Sequence, residues 1–167
     1  MAWTNLSNFA AGAALTAARL NELVGNFKTI GDSWTTYTPA WNSSGTTPVL
    51  NNGTITGAYM NAGKLLAFRI LLTAGSTTTF GTGTYQFSLP AGMTPVNMRW
   101  GIDGFAYDDS SGGLFPVRGF WSSTSNVIIM RTWPTTAGTA LTAVTPTVPF
   151  TFANLDQISL AGVVELA

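Results

Sequence analysis

Residues 64–73 read Lys64-Leu65-Leu66-Ala67-Phe68-Arg69-Ile70-Leu71-Leu72-Thr73. Successive side chains of a strand point to opposite faces. One face therefore holds Leu66, Phe68, Ile70 and Leu72, and the other Leu65, Ala67, Arg69 and Leu71. A sheet strand with one wet face alternates apolar and polar residues. Here both faces are largely apolar and both need cover. Residues 127–133 repeat the pattern, with Ile128 and Met130 on one side and Val127, Ile129, Arg131 and Trp133 on the other. A second copy of the chain is the expected cover, because the sequence offers no helix for a crossover between strands.

Outward from this segment the β signal continues. From Trp34 onward Thr, Val, Tyr, Phe and Trp dominate, and clusters of Gly, Pro, Asn, Asp and Ser punctuate. The spacing predicts strands over 34–41, 53–60, 64–73, 84–89, 98–107, 114–121, 127–133, 147–152 and 157–166. Asn61-Ala62-Gly63 reads as a hairpin turn and residues 108–113 as a longer loop. The last segment alternates weakly and reads as a closing strand nearer solvent. Short strands at this spacing predict a mainly β domain over 34–167, a jelly roll or β-sandwich.

Before it, residues 1–33 read as an N-terminal arm and one short α-helix. Thr16 suits an N-cap and Gly31 a C-terminal stop. Leu20, Leu23, Phe27 and Ile30 fall at spacings of three, four and three, with Val24 beside them, which makes two heptads of an apolar seam. Two readings fit: an amphipathic helix packed on its own domain, or one that self-associates. An isolated helix of about 15 residues is marginal in water, which favours the second. The expected oligomer interface is thus Leu20, Leu23, Val24, Phe27 and Ile30 on the helix, with Leu65, Ala67, Leu71, Val127 and Ile129 on the sheet.

Composition agrees. Hydrophobic residues make up 46% of the 167 and charged residues 8%, against about 25% charged in ordinary domains. The chain is 12% aromatic, unlike disordered sequences, and no apolar run approaches the roughly 18 residues of a membrane span. Burial of the surface in an assembly remains. Net charge is zero and the seven basic residues are scattered, so neither nucleic acid nor an anionic membrane is an expected partner.

The chain has no Cys and no His. Thiolate nucleophiles, histidine-based triads and Cys/His zinc sites are therefore out of reach, and no catalytic residue, metal or cofactor is expected. Asp103 with Asp108 or Asp109 is the one carboxylate pairing considered, and turn roles explain those residues better. Gly81-Thr82-Gly83 lacks the Lys-Ser/Thr of a phosphate loop and reads as a tight turn. Aromatic residues could stack sugar rings or fill a core. Trp41, Tyr59 and Trp133 are weighed, and Trp100, Tyr107 and Trp121 stand as glycan-binding candidates. Met1-Ala2-Trp3-Thr4-Asn5 lacks the basic flank of a signal peptide, which predicts synthesis in a reducing cytoplasm.

Two segments carry a resemblance. Leu15-Thr16-Ala17-Ala18-Arg19-Leu20-Asn21 resembles the start of small phage tail-fibre and appendage proteins. Residues 37–50, 52–59, 74–83 and 87–90, from Tyr37-Thr38-Pro39-Ala40-Trp41 to Phe87-Ser88-Leu89-Pro90, resemble a module of minor tail, fibre and other virion appendage proteins of phages of Gram-positive hosts. The resemblance spans roughly residues 15–90. It implies a virion protein, a homotrimer with a β domain projecting from an N-terminus that anchors to other virion proteins, on a tail, baseplate or head. The chain's brevity admits a capsid-decoration or head-fibre subunit. A host-receptor or glycan-binding module of a tail fibre is the alternative, and no catalytic residue is carried over.

Overall fold

The computed structural model describes residues 14–31, 34–98, 101–134 and 140–167. Helix α1 spans Ala17–Gly31. Thr16 caps it: the Arg19 N–H lies 3.4 Å from the Thr16 hydroxyl, and Leu20 N–H donates to the Thr16 carbonyl at 3.1 Å.

The strands are β1 (Thr35–Tyr37), β2 (Trp41–Ser43), β3 (Thr54–Ala62), β4 (Leu65–Thr73), β5 (Tyr85–Phe87), β6 (Gly101–Asp108), β7 (Gly113–Ser122), β8 (Val127–Thr132), β9 (Thr142–Ala143) and β10 (Gln157–Glu165). All pairings are antiparallel. The order is β1-β3-β4-β10-β6-β7-β8-β5-β2, with β9 on β8. The sheet curls so that Leu66, Phe68, Ile70 and Leu72 of β4 share one core with Tyr85, Phe87, Ile128 and Met130. The fold is mainly β and sandwich- or jelly-roll-like, with one helix before it.

Local chemistry explains the pairing. The β3–β4 hairpin turns in two residues, Ala62 facing Leu65, and Gly63 takes a φ of 64° that other residues resist. β6 and β10 approach so closely that a Cβ on Gly104 would strike the Ser159 carbonyl. Under β5 the rings of Trp41, Tyr85 and Phe152 meet edge to face, at centroid distances of 5.1 and 5.6 Å. Burial among these rings pushes the Tyr85 phenol well above its ordinary pKa, and its hydroxyl donates to the Phe80 carbonyl at 3.2 Å.

Four expectations are corrected. Residues 34–41 form two short strands interrupted at Thr38-Pro39-Ala40, and these lie at opposite ends of the strand order. Proline has no N–H for a ladder. Residues 147–152 form no strand, because Pro146 and Pro149 punctuate them; Phe150 and Phe152 plug the core edge instead. The closing segment, β10, is central rather than peripheral, between β4 and β6, with Ile158, Leu160 and Val164 buried. Val127 was expected on an open face and is buried at the start of β8.

Candidate functional site

The sheet's outer face follows from the alternation in β4. Leu66, Phe68, Ile70 and Leu72 are buried, while Leu65 and Leu71 are 51% and 43% exposed and Ala67 is half-buried. Neighbouring strands continue this face with Val163 of β10, Phe105 of β6 and Leu114 of β7, all exposed. Ile129 of β8 is half-buried. This amount of large apolar side chain in water on one face is characteristic of an interaction surface.

A groove of about 720 Å³ crosses β1, β3, β4, β10 and β6. Register aligns its lining in two rows. Thr36, Ala58, Arg69, Ala161 and Asp103 are paired neighbours across five strands; Thr56, Leu71, Ser159 and Phe105 form the row beside them. Small side chains at Ala58, Ser159 and Ala161 make the floor, and Leu71 and Phe105 supply bulk.

Charges on this side lie against rings. Arg69 stacks over Trp34 at 5.1 Å, Arg118 over Trp133 at 5.6 Å and Arg131 over Phe120 at 5.9 Å. The Arg118 Nε–H also donates to Asp103 at 2.8 Å. Both partners are well exposed, so that pair adds little stability.

The helix presents the second surface. α1 packs against β3, and among its described residues Asn26 is the buried one, at 6% exposure. The apolar seam faces away: Leu20, Leu23, Val24 and Phe27 are 43, 38, 48 and 66% exposed. The Ile30 side chain lies outside the described residues.

The two described glycan-binding candidates, Tyr107 and Trp121, do not assemble. Trp121 is buried at 3% exposure, so its ring cannot stack on a sugar; its indole N–H has no acceptor among the described residues. Tyr107 is half-buried on β6 opposite Leu114, and Trp100 lies outside the described residues.

The acidic candidates are separated. Asp103 and Asp108 sit five residues apart on β6, about 17 Å at 3.4 Å per residue, beyond the roughly 5–9.5 Å of a glycosidase pair. Asp108 organises the β6–β7 loop, accepting from the Ser110 and Ser111 hydroxyls at 2.7 Å each, and these bonds hold its carboxyl below the usual range. The Asp109 N–H donates to the buried Asp156 at 2.9 Å, and Ala153 N–H donates to the same carboxylate at 2.6 Å. Among the described residues no three Asp or Glu side chains gather to hold a metal, and no helix is long and apolar enough to cross a membrane. Gly81 and Gly83, with φ of 61° and 85°, form a turn against Thr46, as the sequence implied.

Sequence reading missed Phe105, Leu114 and Val163, although alternation within β6, β7 and β10 carried the signal. It also missed the groove, whose floor depends on which strands are neighbours. No family model, curated protein or solved structure matches the chain.

Proposed function

We propose that this protein is a non-catalytic structural subunit of a bacteriophage particle, working as a homo-oligomer, most simply a trimer. The supporting observation is the orientation of α1. It turns Asn26 toward its own chain and leaves Leu20, Leu23, Val24 and Phe27 in solvent. A helix serving only its own domain would bury that seam. The outer sheet face supports the same reading through Leu65, Leu71, Phe105, Leu114 and Val163. Obligate interfaces are apolar and bury more than about 2,000 Å², and charged residues at 8% suit such a surface. The phage assignment and the number three rest on the resemblance of residues 15–90.

Its role is mechanical and adhesive: the arm and helix anchor the subunit to other virion proteins, and the β domain reinforces a tail or shell or presents loops outward. Light scattering of the full chain at micromolar concentration should give three times 17.6 kDa. Leu23→Ser combined with Phe27→Ser should lower that mass while the β spectrum persists. A single-chain mass for the unaltered protein would overturn the oligomer. Antibody labelling of phage particles tests the location, and particles without label would overturn the virion role.

A further inference from the structure

We infer that the outer-face groove is the socket for helix α1 of a neighbouring copy. The inference deepens the oligomer reading and rests on it. Each copy has one exposed apolar seam and one apolar groove, and they match in size. A helix of 15 residues is about 22 Å long at 1.5 Å per residue. The groove crosses five strands, so its length is about 19 Å at 4.8 Å per strand spacing. The two rows that line it are two residues apart along each strand, about 7 Å, a gutter into which one row of helix side chains fits.

The floor admits close approach. Ala161 and Ser159 stop at one or two side-chain atoms, so Leu20, Leu23, Val24 and Phe27 can descend between Leu71 and Phe105. Charge agrees with that placement. At 100° per residue Lys28 flanks the seam and Glu22 lies behind it, while Arg69, the cation in the groove's own lining, is drawn over the Trp34 ring at 5.1 Å. Asp103, the carboxylate at the β6 end of the groove, has a side chain 71% exposed beside Arg118, leaving lone pairs for a second cation.

The occupant is a second copy and not the same chain. Among the described residues no α1 side chain lines the groove, and α1 already packs on β3 with Asn26 buried and its seam turned away. β3 serves both: α1 packs on it, and its Thr56–Ala58 segment lines the groove. A contact between unlike patches is heterologous and closes into a ring when the rotation permits. Three copies at 120° would use every seam and every groove.

The chain has no cysteine, so introduced thiols are unique. Val24→Cys and Ala161→Cys are made as separate chains, mixed, equilibrated and oxidised. The expected result is a mixed disulfide between the two variants in a particle of trimeric mass, with neither variant cross-linking alone. Val24→Cys cross-linking to itself within a trimer would show helices meeting helices; the socket would then be overturned while the oligomer stands. A single-chain mass would overturn both. Ala161→Trp, at an exposed position, should fill the floor, keep the β spectrum and weaken association roughly ten-fold or more. Unchanged association in that variant would also overturn the socket.

Discussion

Ile158 and Val163 sit five residues apart on β10 and point to opposite sides of it. Ile158 is fully buried between β4 and β6, whereas Val163 is 51% exposed. Ile158→Ala removes core contacts and leaves a cavity, and should cost about 3 kcal/mol in chemical denaturation. Val163→Ser should change the stability of the separated chain by less than about 0.5 kcal/mol while shifting the mass distribution toward single chains. Equal effects on folding would mean that the two faces are alike. Asp108 offers a test in pH. Its folded-state pKa is depressed by the Ser110 and Ser111 hydroxyls, from an ordinary 3.8. The loop stabilisation is therefore complete above the unfolded value and lost as pH falls through the folded one. Hydrogen exchange at the Ser110 and Ser111 amides should show protection that disappears in that acidic window, and Asp108→Asn should remove the pH dependence. Protection that persists at the lowest pH would show that the carboxylate does not hold the loop.

Among the elements, legibility followed local pattern. β4 and the β3–β4 hairpin were readable because two-residue periodicity and a glycine turn are written within a dozen residues. α1 was readable from Thr16, its seam and Gly31. β9 was not, since Thr142–Ala143 is held by pairing to Arg131 and Thr132 and carries no periodicity of its own. The central place of β10 was hidden for a related reason: Ser159, Ala161 and Gly162 read as weak alternation, yet β4 and β6 flank the strand, with Gly162 against the core and Ser159 and Ala161 leaving a hollow outside. Residues 147–152 have strand-like composition, but two prolines decide against a ladder. The helix reading makes its own prediction. Thr16→Ala should destabilise α1 by about 1 kcal/mol, seen as faster exchange of the Arg19 and Leu20 amides with the β ladders unaffected. If those amides do not change, the cap is idle.

For the whole molecule, composition pointed to assembly before any strand was placed: seven acids, seven bases and 46% hydrophobic residues leave little to hold a lone chain in water. The surfaces proposed to meet were only half legible. Alternation in β4 named Leu65 and Leu71, but the groove is lined from five strands brought together by their order in the sheet, including β1 and β6, far apart in sequence. The physical character of the proposed assembly follows from those surfaces. If apolar contact drives it, screening should not weaken it. Raising salt from about 0.1 M to 1 M shortens the Debye length from about 10 Å to about 3 Å, which would loosen an assembly built on ion pairs. The one ion pair on the outer face among the described residues, Asp103–Arg118, is exposed and lies within a single chain, so little of the association is there to be lost. Dilution series by light scattering across that salt range should therefore give dissociation constants within about three-fold of one another, or tighter at high salt because apolar burial is strengthened when salt is excluded from the surface. A loss of ten-fold or more would move the driving force from Leu71, Phe105 and Val163 to the arginines stacked around them.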